Sequence, residues 1–228
     1  GKLLKTIEVS PKGGLHNLIV SHDGSTVVVG STRSDMLTVI DVKTDSIRKR
    51  VGPIIGVIQP LAINGDCSVA YLNTHLYREG HGPGFEIGDL AAGKITHVVG
   101  RPDLADRKSR CHGVGLTPDE KEVWVVDQGH RELHVFDNTA SPPKFKQAVP
   151  MSAKTHGWIC FSRDGKYAWC DTGEVFDAAS KKIVGQWTDK TNGEGNPVMS
   201  SKFFEIHFRG QDAVFVGHQM GIGYAGVK

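Results

Sequence analysis

The sequence predicts an all-β fold: a β-propeller of five blade-like units, each of four antiparallel strands, in one domain over residues 1–228. Three observations carry this. Four apolar runs end in one aspartate, at Thr38–Asp41, Phe85–Asp89, Leu133–Asp137 and Glu174–Asp177, spaced 48, 48 and 40 residues apart. A period of 40–50 residues made only of short strands marks blades that cannot bury their own faces and must stack on neighbours. Five tight polar turns recur in step with those runs: Ser21–Gly24, Asn64–Asp66, Thr117–Glu120, Ser162–Gly165 and Arg209–Asp212. Finally, no long segment shows the 3.6-residue period of a helix, and no apolar run reaches the length of a membrane span.

Each unit is read in the same order. A first run of apolar and small residues leads to the polar turn, whose Asp-Gly or Pro-Asp pairs supply the backbone angles of a hairpin. A β-rich run follows: Thr26 to Val29, Val69 to Leu72, Val123 to Val126, Tyr167 to Trp169, Ala213 to Val216. The aspartate-terminated strand is third. A more charged strand, such as Ile47 to Val51 or Ile95 to Val99, closes the unit on the water-facing edge. The aspartates are expected to accept turn amides. Trp124, Trp158 and Trp169 fall within strands and are expected in the packing between blades.

Lys2 to Val9 has the character of a fourth strand, with Gly1-Lys2 matching Gly93-Lys94, whereas the unit from Lys202 to Lys228 lacks one. The first segment is therefore expected to close a five-bladed ring on that last unit. The alternative is that the chain is part of a larger propeller.

Composition excludes several classes. The formal net charge is +2 with basic residues scattered, so nucleic acid is not an expected partner. Cys67, Cys111, Cys160 and Cys170 form no Cys-x-x-Cys pair and no zinc-finger spacing, and are read as small buried apolar residues. The sequence holds no Gly-x-Ser-x-Gly, no P-loop and no His-Glu-x-x-His.

Connection lengths point to a working face. The turns between strands one and two, and three and four, are short; the long segments, Asn73 to Gly84, Gly100 to Arg110 and Thr188 to Ser201, all belong to the opposite side. Long loops on a rigid scaffold are where function concentrates. A protein partner or a small ligand is expected there; His75, Tyr77, Arg78, Glu79 and His81 crowd one of these segments, read as a solvated loop with a recognition lid as the alternative, and His218, Gln219 and Met220 lie near the rim. The same side receives the starts of the innermost strands, which carry His16, His112 and His156; Gln59-Pro60 stands at that place in the second unit. In the last unit Glu205 and His207 share one strand face. These five residues are the candidate ligand site at the channel mouth, and His16, His112, His156 and His207 could hold a divalent transition metal. The plainer reading is that each imidazole bonds backbone across the channel mouth.

The run from His112 to Asp119, with Val123-Trp124-Val125-Val126-Asp127, resembles the bacterial YVTN-type β-propeller repeat of the lactonase-like propeller group; His16 to Gly30, Gly157 to Trp169, Leu37 to Asp41 and Lys2 to Val9 match it less tightly. The resemblance implies an exported bacterial protein, periplasmic or secreted, often seven-bladed. It specifies fold far better than activity, and the reading adopted is a binding or scaffold module that works through the long-loop face. Its alternatives are a lactonase-like or metal-dependent enzyme at the channel mouth, or the propeller subunit of a periplasmic redox complex. No catalytic motif of the group is matched residue by residue.

Overall fold

Strands in this chain are apolar on both faces, so each sheet is driven to bury both. A computed structural model describes residues 1–58, 61–73, 82–104, 111–153, 157–191, 195–199, 203–217, 221–225 and 227. Blade one is β1 (Leu15–Val20), β2 (Thr26–Ser31), β3 (Leu37–Asp41) and β4 (Ser46–Val51); blade two is β5 (Leu61–Ile63), β6 (Val69–Leu72), β7 (Gly84–Asp89) and β8 (Lys94–Gly100). Blade three is β9 (Cys111–Leu116), β10 (Glu122–Asp127), β11 (Glu132–Asp137) and β12 (Lys144–Pro150); blade four is β13 (Ile159–Phe161), β14 (Tyr167–Cys170), β15 (Glu174–Asp177) and β16 (Ile183–Gln186). All pairings are antiparallel and in sequence order. The first strands β1, β5, β9 and β13 lie side by side about one axis. Among the described residues the only helical element is a single 3-10 turn, Pro102–Leu104, and no helix is long and apolar enough to cross a membrane.

Three apolar cores alternate with the blades. Ile19, Val28, Leu37, Val39 and Val51 of blade one meet Leu61, Ile63, Ala70 and Leu72 of blade two. Tyr71, Phe85, Ile87 and Val99 meet Val114, Leu116, Val123, Val125 and Phe136 of blade three. Trp124, Val126, Leu133, Val135 and Val149 meet Ile159, Phe161, Ala168, Cys170 and Phe176 of blade four. The last valine of each outer strand, Val51, Val99 or Val149, sits in the core shared with the following blade. Of the four free cysteines Cys111, Cys160 and Cys170 are buried as expected, whereas Cys67 is only partly so; Cys170 lies opposite Ile159 rather than Cys160.

The turns behave as their sequences dictate. Asp23, Asp119 and Asp164 each accept a backbone amide and the hydroxyl of the Ser or Thr two residues earlier. The strand-ending Asp41, Asp89, Asp137 and Asp177 each accept an amide of the following turn. Those hydrogen bonds hold the carboxyls of Asp41, Asp137 and Asp177 below their ordinary value.

A second repeat lies three residues before each of these aspartates. Thr38, Glu86, His134 and Glu174 hold that place in β3, β7, β11 and β15, and all four are buried. Both carboxylate oxygens of Glu86 accept the Ile55 amide, at 3.1 and 3.2 Å, from the segment joining blades one and two. Glu174 accepts the Ser152 amide at 3.0 Å from the segment joining blades three and four, and the Thr172 hydroxyl at 2.8 Å. The Thr38 hydroxyl donates to the Val9 carbonyl at 3.2 Å, and Arg50 donates to both Val9 O and Thr38 Oγ1. The third strand of a blade thus clasps the backbone that arrives in front of it.

The expected closing strand is not formed. Residues 1–14 are not in a strand, and Leu3 and Leu4 are exposed. Instead Ile7 and Val9 pack on Val27, Val29 and Ile40, the face of blade one turned away from blade two. Val9 therefore stands before blade one as Val51 stands before blade two. The fifth unit is also only partly built among the described residues: β17 (Thr188–Asp189) and β18 (Asn196–Pro197) form a small ladder, and β19 (Ile206–Arg209) with β20 (Asp212–Val216) a hairpin. Ile206, Phe208, Val214 and Val216 on that hairpin are exposed, so it gains little of the burial that would select a full sheet.

Beyond the hairpin, residues Gly221–Ala225 cross the axis. The Leu116 amide donates to Gly221 O at 2.7 Å, Gly223 N to Ile63 O at 2.9 Å, and Tyr224 N to Pro118 O at 2.9 Å. His22 Nε2 bonds Gly223 O at 2.8 Å, and Ile222 is buried in the core of the first two blades. Gly221 has φ +57°, and a Cβ there would come within 2.9 Å of Ile159 O, so only glycine fits.

Two stability outcomes are expected. Phe136 is fully buried and edge-on to Phe85 at 5.1 Å, so Phe136→Ala should cost about 3–5 kcal/mol in denaturant unfolding. Glu86→Ala removes the charged acceptor of the Ile55 amide from a buried position and should cost about 1–3 kcal/mol in the same measurement.

Candidate functional site

Rings from three blades meet at the end of the axis where the long connections lie. His16 of β1 stacks on Trp158, which precedes β13, with centroids 6.3 Å apart and planes within 11°. His112 of β9 stands edge-on to both, 5.9 Å from His16 and 5.6 Å from Trp158. His16 is exposed, whereas His112 and Trp158 are buried. His112 Nδ1 lies 3.3 Å from Gly157 O, and His16 Nδ1 lies 2.8 Å from Asn17 Oδ1. The strand starts bring these rings together because each first strand runs from the axis mouth toward the short turns.

Asp171 joins this end of the molecule. Its carboxyl packs so tightly on Gly157 that a Cβ there would come within 1.8 Å of Oδ1. Oδ1 is buried without a hydrogen-bond partner among the described residues. Burial raises the Asp171 carboxyl to about 6, only partly offset by backbone amides, one of them from Gly157. The mouth therefore combines two imidazoles, an indole and a carboxyl that titrates near neutrality, a set suited to hydrogen bonding and proton exchange.

The five residues expected at the mouth do not all gather there. His16 and His112 do. His156 lies outside the described residues, as do Gln59-Pro60, the cluster His75, Tyr77, Arg78, Glu79 and His81, and His218–Met220. Glu205 and His207 pair with each other at 2.6 Å but lie on the opposite side, where Glu205 Oε2 accepts the Arg163 amide of the strand one–two turn at 2.7 Å. The cause is local: the Arg163 guanidinium sits 4.1 Å over Phe215, opposite His207 in the hairpin, and draws the pair to the short-turn side. Among the described residues no three His, Cys, Asp or Glu side chains stand at metal-bonding positions.

Sequence reasoning passed over Asp171 and the buried polar set Glu86, His134 and Glu174. Their signal was available as a fixed offset, three residues before each strand-ending aspartate. Asp171 had no such repeat: aligned on the turns, its place in the other blades holds Gly30, Asn73 and Val126.

No family model and no curated protein matches the chain. Among solved structures it resembles a chain of hydrazine synthase from Kuenenia stuttgartiensis, with a TM-score of 0.61 and 20% sequence identity. That match covers 81% of this chain and 52% of the other, so the chain spans about half the length of that neighbour. At this identity the likeness is one of fold, and it agrees with the propeller blades seen here.

The Asp171 carboxyl sets a pH signature. Its folded value, about 6, lies above its ordinary 3.8, so its favourable contribution is complete below about pH 4 and is lost as pH rises through 6. Asp171→Asn should be more stable than wild type at pH 7 and equal to it at pH 4. Denaturant midpoints of both proteins across that range check this.

Proposed function

We propose that this chain is part of an exported bacterial propeller of the YVTN type that acts as a docking module through the side bearing its long connections. The observation that supports this best is the convergence of His16, His112 and Trp158 from three separate blades at that end, with His16 exposed. Such a cluster is built by the tertiary arrangement alone, and aromatic and imidazole rings on rigid strands make good anchors for a partner. His112 Nδ1 lies against the Gly157 carbonyl and His16 Nδ1 against the Asn17 side chain, contacts that hold the two rings in place for a binding role. In this reading the exposed apolar residues of β19 and β20 face a further blade, as in a seven-bladed ring.

The fold shared with hydrazine synthase lends support to a second reading, a propeller subunit within a periplasmic redox complex. Both readings place the partner on the same side. Crosslinking mass spectrometry in the periplasmic fraction tests this, because Lys12 lies beside the starts of the innermost strands while Lys121 and Lys166 lie on the short turns. Partner crosslinks are expected at Lys12 and should weaken in His16→Asp. Crosslinks confined to Lys121 and Lys166, or absent from the periplasmic fraction altogether, would overturn the docking side or the location.

A further inference from the structure

Three gaps between blades are filled by apolar cores, but the fourth is not. Side chains alternate along β14: Ala168 and Cys170 pack against blade three, so Tyr167 and Trp169 face the fifth unit. There they meet Trp187, Val198, Phe203 and Phe204, and the six line a cleft of about 410 Å³ instead of closing on one another. The filled gaps hold close ring pairs, Phe85 on Phe136 at 5.1 Å and Trp124 on Phe161 at 5.3 Å. Among the described residues the five rings of this cleft make no such pair, and Tyr167, Trp187 and Phe204 are 44%, 51% and 58% exposed.

Bonds to the rest of the fold hold the walls apart. Trp187 N donates to Gly173 O at 2.7 Å, and Val198 N donates to Trp187 O at 2.9 Å. Glu205 accepts the Arg163 amide, and the Sγ of Cys160, opposite Trp169 in the ladder, lies 3.7 Å from Phe203 O. The other polar side chains of the lining are already engaged. Ser162 Oγ donates to Asp164 and accepts the Tyr167 amide, and Glu205 pairs with His207 as well as with Arg163 N. Trp169 differs: its Nε1 is buried with no hydrogen-bond partner among the described residues.

We propose that this cleft binds a small, flat, uncharged aromatic molecule carrying a carbonyl oxygen. Its volume falls in the range of small-molecule sites and suits a guest of one or two rings. Rings that do not pack on one another leave faces and edges for a flat guest to meet. The one charged group of the lining is Glu205. It repels an anion, and with His207 Nε2 at 2.6 Å and the Arg163 amide at 2.7 Å it has little left to offer a cation. A neutral guest is what the charge allows. Its carbonyl oxygen accepts from Trp169 Nε1, a donor that is costly to bury unmet. The half-exposed Trp187 and Phe204 give the route of entry. This site is separate from the axis mouth and stands whether or not that side docks a partner.

The test is a nuclear magnetic resonance titration of the ¹⁵N-labelled chain with 2-acetylnaphthalene, a flat neutral ketone, and with 2-isopropenylnaphthalene, in which a methylene group replaces the carbonyl oxygen. The chain has 4 tryptophans, so each indole N–H reports separately, and Trp169→Phe assigns its signal by loss. One equivalent of the ketone should bind saturably and move the Trp169 indole proton downfield, and the hydrocarbon should bind about three- to tenfold more weakly. Trp169→Phe keeps an apolar ring and should bring the two probes to equal affinity. Phe204→Ala, at an exposed position and checked for fold by near-ultraviolet circular dichroism, should weaken both at least about fivefold. A His16→Ala/His112→Ala double variant should bind both as wild type does. No saturable binding, an unmoved Trp169 signal, unchanged affinity in Phe204→Ala, or loss in the double variant would each overturn the proposal.

Discussion

A four-stranded sheet with apolar side chains on both faces has no stable place in water, and every other feature of this chain follows from relieving that condition. Blade two is buried on one side by Leu37 and Val51 and on the other by Val114 and Phe136. Neither contact suffices without the other. The outer strands escape the requirement because one edge meets solvent, which is why Ser46–Val51 carries Arg48, Lys49 and Arg50 and buries only its last residue.

Apolar stacking is non-directional, so it does not fix how one blade sits on the next. The buried polar side chains supply direction. Glu86 and Glu174 bind amides of the incoming segments, and Thr38 binds a carbonyl in the same place. A buried carboxylate is costly unless its oxygens are met by donors, so these residues favour one blade-to-blade arrangement over nearby ones. In blade three the corresponding His134 turns instead to Asp127 and Glu132, and the clasp becomes a cluster within the blade.

Strand identity and blade order were legible in the sequence because period, turn chemistry and the aspartates are local and repeated. The register of Asp41, Asp89, Asp137 and Asp177 needed only counting. Closure was not legible: Lys2 to Val9 has the composition of an outer strand, but pairing depends on a strand beside it, and composition carries no information about that. The site was half legible. His16 and His112 share a place in their blades and meet as a result, whereas Glu205 and His207 share no such register and are carried to the other side by Arg163 and Phe215. Asp171 was hidden because its character comes from burial against Gly157, which no residue type announces.

The segment that crosses the axis has a bearing on the order in which the molecule assembles. Each blade pairs strands close in sequence, and each interblade core joins consecutive units, so the arc can grow blade by blade as the chain emerges. The contacts of Gly221, Gly223 and Tyr224 with Leu116, Ile63 and Pro118 span more than a hundred residues, and that with His22 spans 201. Loop closure on that scale is the slowest kind of contact to make. The hub of the molecule is thus its last part to form, and until it forms the inner ends of β5 and β9 stand open to water with unmet backbone groups.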